Sequence, residues 1–229
     1  MHRLAFAFAV LATVVVASPA SAGLAEGLWA YERGDWAVAR RELWRPAALE
    51  GSAEARYVLG LIHRDGKGVA ADATEAIKWL RMAAALGEGR AMLALGRAHE
   101  RGELARHDET KALAWYTLAA AHLAVGVERD AALRGEDRIA RLAPAWQRKK
   151  AAKLAESWGA DLAKTAMVVE IQDGLASFGY PVGPVDGIVG PKTRGAITSY
   201  QKKNALAVTG EASEELRAHV LAARLAMPD

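Results

Sequence analysis

From residue 24 onward, apolar residues recur at helical spacing between short polar or glycine-rich breaks, which predicts an all-α chain. The pattern also repeats. Leu59-Gly60 returns as Leu95-Gly96, Gly66 as Gly102, Asp72 as Asp108, Ala76 as Ala112, Trp79 as Trp115 and Ala83-Ala84 as Ala119-Ala120, always 36 residues later. Matches in one fixed register, two of them tryptophans, identify a structural repeat. Each unit predicts two helices. The first spans about Ala53 to Arg64 and stops at Gly66, where glycine can take a left-handed cap. The second starts at Asp72, with Glu75 placed to complete a capping box, and carries an apolar stripe of Ala76, Leu80 and Ala83 with Trp79 beside it. Small alanines let helices approach closely, and the tryptophans fill the space between pairs.

The third unit, Gly89 to Gly126, departs at its loop, where Glu103-Leu104 replaces Gly-Val, and its second helix is expected to extend towards Gly126. An earlier unit, Leu24 to Gly51, has a shorter loop at Gly34-Asp35, as suits an N-terminal capping repeat. Arg129 to Leu142 and Ala145 to Trp158 predict two more helices, with Pro144 at the first position of the second; together they would cover the open end of the stack. From Thr165 the pattern changes. Val168, Ile171, Leu175 and Phe178 form one stripe, a loop rich in Gly and Pro follows, Pro191 starts a helix with Ala196, Ile197 and Tyr200, and Ser213 caps a last helix with Leu216, Val220 and Leu221. This predicts three short helices around one small core. Residues 159–164 are short and compatible with helix, so a fixed angle between the two parts is possible.

The stretch Ala53 to Gly87, AEARYVLGLIHRDGKGVAADATEAIKWLRMAAALG, resembles the Sel1-like repeat, a relative of the tetratricopeptide repeat, and the resemblance extends over about residues 24–159. It implies an α-solenoid that binds other proteins. The stretch Ile171 to Gly210, IQDGLASFGYPVGPVDGIVGPKTRGAITSYQKKNALAVTG, resembles the peptidoglycan-binding-like domain through Gln172, Leu175, Gly179-Tyr180, Gly183, Asp186-Gly187, Gly190-Pro191, Thr193, Ala196, Tyr200-Gln201, Leu206 and Thr209-Gly210. Tyr200 stands where phenylalanine is commoner. That resemblance implies a three-helix module that binds peptidoglycan through its stem peptides, although some members use the fold for protein contacts alone.

Met1-His2-Arg3, the apolar run from Leu4 to Ala17 and the small residues Ala20 and Ala22 have the three parts of a secretory signal. Cleavage is expected after Ala22; an uncleaved anchor is the rival, disfavoured by Pro19 and Ser21. Among the 229 residues there is no cysteine, which excludes a thiol nucleophile as in L,D-transpeptidases or papain-like peptidases, a thiolate zinc site, disulfides and an N-terminal lipoprotein anchor. Hydrophobic residues at 52% argue against disorder, and a net charge of +3 is too even for a nucleic-acid binder.

The candidate peptidoglycan contacts are Gln172, Tyr180, Asp186, Thr193, Arg194 and Gln201. Asp186 could meet an amine or amide of a stem peptide, or could instead close a turn with Gly187. Gln172 and Gln201 could bind ligand amides, or bridge loop backbone groups that would otherwise be unpaired. Tyr180 and Arg194 are the better direct contacts, an aromatic face for sugar or peptide and a guanidinium for a carboxylate such as a D-alanine terminus. His63 and His99 are repeat-equivalent and therefore kept apart, so no metal or other cofactor is expected. Glu156-Ser157 matches the catalytic pair of lytic transglycosylases, but residues 128–164 hold only two helices and cannot build a sugar cleft. The basic run Arg138, Arg141, Arg148, Lys149, Lys150 and Lys153 is either a solvated face or a surface for anionic membrane or an acidic partner.

The sequence thus predicts an all-α protein: a signal peptide (1–22), a Sel1-like α-solenoid with capping helices (23–159) and a small three-helix peptidoglycan-binding-like domain (165–229). The expected function is a non-enzymatic adaptor in the periplasm of a Gram-negative bacterium, without a transmembrane anchor after signal cleavage. It would be tethered to peptidoglycan and would hold an envelope protein on its repeats. Two alternatives remain: an exported regulator of envelope signalling or exopolysaccharide production whose C-terminal domain contacts protein, and a cell-wall hydrolase.

Overall fold

A computed structural model describes residues 19–226, and all ten regular elements among them are helices. The expected export signal falls outside the described residues up to residue 18. Three hairpins come first: α1 (Pro19–Glu32) with α2 (Trp36–Ala48), α3 (Ala53–Asp65) with α4 (Ala73–Ala85), and α5 (Gly89–Arg101) with α6 (Glu109–His122). They are followed by α7 (Val127–Leu142), α8 (Ala145–Ser177), α9 (Pro191–Lys203) and α10 (Glu214–Leu225). Helices α2 and α3, then α4 and α5, join one hairpin to the next, and α7 and α8 close over α6. The result is an α-solenoid.

The repeat is built by the same bonds twice. Gly66 and Gly102 end α3 and α5 at φ 65° and 71°, a left-handed conformation that only glycine adopts without strain, and their N–H groups bond Ile62 O and Ala98 O. Asp72 accepts from the N–H groups of Thr74 and Glu75 at 2.9 and 3.0 Å, and Asp108 accepts from Lys111 N–H at 3.0 Å. The expected capping box does not form. The Asp72 N–H already donates to His63 O at 2.9 Å, so Glu75 has nothing to return to and takes Lys78 instead. The same bond recurs from Asp108 N–H to His99 O at 2.9 Å. Each one ties the start of the second helix to the end of the first.

The third unit also differs from expectation, since α6 stops at His122 instead of running on towards Gly126. Leu123 leaves the helix at ψ 137° and folds over Gly89 at the start of α5, where a Cβ would lie 2.7 Å from Leu123 Cγ. Hairpins pack closely through glycine: a Cβ on Gly60 would stand 2.8 Å from Leu80 Cγ, and one on Gly96 2.8 Å from Tyr116 Cδ1. The two repeat tryptophans have different neighbours. Trp79 belongs to the core shared by the first two hairpins, whereas Trp115 meets Trp158 of α8 at 4.8 Å between ring centroids.

Helix α8 positions everything downstream. The capping helix and the first helix of the C-terminal unit are one element: the helix-compatible residues 159–164 are helical, and α8 runs unbroken to Ser177. Those residues contain no Pro to interrupt it, and a Cβ on the half-buried Gly159 would lie 3.6 Å from Leu118 Cδ2 of α6, an ordinary packing contact. Pro144 is its N-cap instead of its first helical residue. At 33 residues the helix is about 50 Å long. Its first half buries Ala151 and Ala155 in the solenoid core, and its second half buries Val169, Ile171 and Leu175 in a separate core with Val182, Val185, Ile197, Leu216 and Val220.

Tyr116 is wedged between Gly96 and Gly135, so Gly96→Val should lower unfolding free energy by about 1–3 kcal/mol through overpacking, measured by urea denaturation. The Tyr116 hydroxyl also donates to Glu100 Oε2 at 2.6 Å, and Arg138 Nε donates to Glu100 Oε1 at 2.8 Å. Burial pushes the Glu100 carboxyl up, but these two donors outweigh it and hold the carboxyl below its ordinary value of 4.5. A carboxyl depressed by folding stabilises fully above its unfolded value and loses that contribution as pH falls through the folded one. Melting temperature measured between about pH 5 and 3 should therefore fall less steeply for Glu100→Gln than for the wild type.

Candidate functional site

The C-terminal unit is organised by two buried glutamines, each of which staples the loop that follows its own helix. Gln172 Oε1 accepts from the successive N–H groups of Asp186 and Gly187 at 3.1 and 2.8 Å. Its Nε2 faces Thr193 Oγ1, Asp186 Oδ1, Ile188 O and Pro184 O at 3.0–3.2 Å. Gln201 repeats the device in α9: Oε1 accepts from Thr209 and Gly210 N–H at 3.1 and 2.9 Å, and Nε2 donates to Thr209 Oγ1 at 3.0 Å. A helix-borne amide is well suited to this, since it offers both a donor and an acceptor to loop groups that have no ladder partner.

Thr193 is buried beside Gln172 and donates to Val182 O at 3.0 Å. Asp186 accepts from Ile188 N–H at 2.9 Å and closes a turn whose next residue, Gly187, has φ 80°. Glycine is required there for space as well, because a Cβ would come 2.4 Å from Thr165 on α8. Gln172, Thr193 and Gln201 thus have their polar atoms paired inside the domain, and they shape the loop instead of facing outward.

The six candidate residues do not converge on one surface. Tyr180 lines a cleft of about 310 Å³ with Phe178, Tyr200, Lys203, Asn204 and Ala223. Phe178 stacks on Tyr200 at 5.8 Å and Tyr180 meets it edge-on at 5.7 Å, so the cleft has an aromatic floor with an ammonium and an amide at its rim. Asp186 and Thr193 line a second cleft of about 400 Å³ with Pro184, Ile188, Pro191 and Lys192. Arg194 lines neither; it is exposed and reaches Gly210 O at 3.5 Å. The tyrosine-lined cleft can take a peptide or sugar edge against its rings, with a carboxylate placed on Lys203.

The repeats have their own openings. A polar cleft of about 310 Å³ between α3 and α5 is lined by Arg64, Asp65, Arg97, Arg101 and Glu103. Another of about 300 Å³ lies between α4, α6 and α8, with Arg81, Met82, Trp115, Trp158 and Asp161 on its walls. Glu156 and Ser157 are exposed on α8 and line none of these clefts. Burial pulls the His99 imidazole below its ordinary value, so it is neutral at pH 7, and no group of three or more His, Asp or Glu converges among the described residues.

The residue that sequence reasoning missed is Arg56. It is fully buried in α3, where it donates from Nε to Ala47 O at 2.8 Å and from Nη2 to Val185 O in the loop of the C-terminal unit. Burial lowers its pKa to about 10, partly opposed by the charge of Asp186, so it stays cationic at neutral pH. Gly51 completes this junction, with Val185 Cγ1 and Val169 Cγ1 3.2 and 3.3 Å from where its Cβ would be, and Leu86 packs on the C-terminal core. A signal was present: 36 residues later the equivalent position is Met92, also fully buried, so a charge at 56 had to find a partner. Arg56→Met should leave the hairpins folded but free the loop. Amide exchange over residues 182–190 should rise about tenfold or more relative to α5 and α6, while the global unfolding free energy measured by denaturation should change by only about 1 kcal/mol, because an apolar side chain can fill the place of the buried cation.

The Sel1 repeat family matches residues 53–88 and 89–122, the second and third hairpins, and the putative peptidoglycan binding domain family matches residues 164–219. No curated protein matches the chain. Among solved structures, a protective antigen present in uropathogenic Escherichia coli strains and displaying an SLR fold aligns with a TM-score of 0.56 at 23% identity, over 65% of this chain. The aligned part is 32% of that protein's length, and the likeness concerns the fold alone. Sel1 repeats point to protein–protein interaction, and the C-terminal family points to peptidoglycan.

Proposed function

We propose that this chain, a Sel1-repeat protein ending in a domain of the putative peptidoglycan binding family, is a non-enzymatic adaptor of the periplasm. Its C-terminal domain tethers it to peptidoglycan and its repeats hold a protein partner. The export pattern in residues 1–22 supports the location. One observation carries the tether: the cleft of Phe178, Tyr180 and Tyr200 with Lys203 at its rim is formed outside the Val185–Gly187 loop that joins the domain to the repeats. Wall binding and interdomain docking therefore use different residues. The rings offer an apolar wall to a stem peptide or glycan edge, and Lys203 offers a cation to a terminal carboxylate. On the repeats, the cleft with Arg64, Arg97 and Arg101 suits an acidic segment of the partner.

The test is co-sedimentation of the chain from Gly23 onward with isolated peptidoglycan sacculi. Binding should occur at moderate salt and fall about tenfold for Tyr180→Ala combined with Lys203→Ala, two changes at the cleft rim that leave both glutamine staples intact. Absence of pelleting removes the tether. The favoured role is then a regulator whose C-terminal domain contacts protein.

A further inference from the structure

The basic run meets two exposed apolar residues at the N-terminal end of α8. Leu142 closes α7 and is 88% exposed, and Trp146, in the first turn of α8, is 66% exposed. Lys149, Lys150 and Lys153 follow Trp146 by three, four and seven residues, which puts all four on one helix face. The other face of the same turns buries Ala151 and Ala155 against the repeats. Within the run, Arg138 pairs with Glu100 and Arg141 with Asp137, whereas the three lysines have no carboxylate within ion-pair distance among the described residues.

The turn itself is held firmly. Arg148 Nη1 donates to Ala143 O at 2.6 Å and Ala140 O at 3.3 Å, Ala143 is buried, and Pro144 fixes the entry to α8 at φ −64°. Leu142 and Trp146 stand exposed on the two sides of this fixed turn.

We propose that this end of α8 docks on an anionic lipid bilayer, with Leu142 and Trp146 entering the headgroup region and Lys149, Lys150 and Lys153 lying among lipid phosphates. Tryptophan favours that interface because its ring is apolar and its N–H is not. Lysine stems can lie along the boundary with their ammonium groups in water. An acidic protein would satisfy the charges but would need a pocket for each of two protruding side chains, whereas a bilayer accepts both without one. The geometry leaves the other end free. From Lys149 to Gln172, the residue that staples the C-terminal domain, is about 35 Å along the helix, so membrane contact does not cover that domain.

The chain from Gly23 onward, which lacks the apolar run of residues 4–17, is sedimented with vesicles of phosphatidylglycerol and phosphatidylethanolamine and, in parallel, of phosphatidylcholine alone. It should pellet with the anionic vesicles only. The combined charge reversal Lys149→Glu, Lys150→Glu and Lys153→Glu should weaken binding by about 100-fold, and Leu142→Ser with Trp146→Ser by about tenfold. Both variants should keep wild-type melting curves, because every changed side chain is exposed, and should bind sacculi as the wild type does or does not. Failure to pellet with anionic vesicles, or equal pelleting with both lipids, overturns the proposal. So does a Leu142/Trp146 variant that binds normally, an outcome that would assign the lysines to an acidic protein instead.

Discussion

A helical hairpin can bury only one of its faces within itself, so every hairpin in a stack needs a neighbour and the last one needs something else. In this chain that need is met by α7 and α8, and the way it is met determines the rest of the molecule. Helix α8 lays Ala151 and Ala155 on α6 and sets Trp158 against Trp115, which covers the open end. It does not stop when the repeats stop. The same helix goes on to supply Val169, Ile171, Leu175 and Gln172 to a second core. A cap that doubles as the first helix of the next domain leaves no flexible linker between the two, and the orientation of the C-terminal unit follows from the helical phase of α8 over residues 159–168.

A single helix would still let that unit bend about its axis, and Arg56 supplies the second point of attachment. Burying a guanidinium is costly, as its lowered pKa reflects, and the cost is tolerable only because carbonyls from both sides of the junction converge on it with Asp186 nearby. An apolar residue such as the Met92 of the next repeat would pack at that place without selecting any particular loop position. The arginine selects one, because its Nη2 is paired only by the carbonyl of Val185, while Nη1 is left buried without a partner among the described residues. The contact therefore contributes more to defining the angle between domains than to net stability.

The hairpins, their glycine caps and the aspartate caps were legible because each depends on local chemistry that recurs every 36 residues: Gly66 with Gly102, Asp72 with Asp108. The two glutamines were legible as loop bridges for a similar reason, since a loop dense in glycine and proline between short helices has backbone groups that need partners. What could not be read was anything set by non-local competition. The capping box failed because His63 O, nine residues back, had already taken the Asp72 N–H. The end of α6 was decided by Leu123 covering Gly89. The candidate site was harder still. Spacing in the sequence brought Tyr180, Asp186 and Arg194 close together, yet the loop folds them onto separate surfaces, and Lys203 joins Tyr180 only because α9 lies across Phe178.

The separation of those surfaces bears on how a ligand could affect the repeats. Val185 accepts from Arg56 while the flanking groups of Pro184, Asp186 and Gly187 are bound to Gln172, so the loop is held from the solenoid on one side and from α8 on the other. A ligand that displaced this loop would have to break both sets of bonds, and by reciprocity anything that loosened Arg56 would change affinity for that ligand to the same degree. A ligand lodged against Tyr180 and Tyr200 touches neither set. The aromatic cleft can therefore bear a load or exchange ligands without altering the solenoid, which is what a fixed tether requires. The Asp186 cleft lacks that independence, because its walls belong to the same staple that locks the domains together.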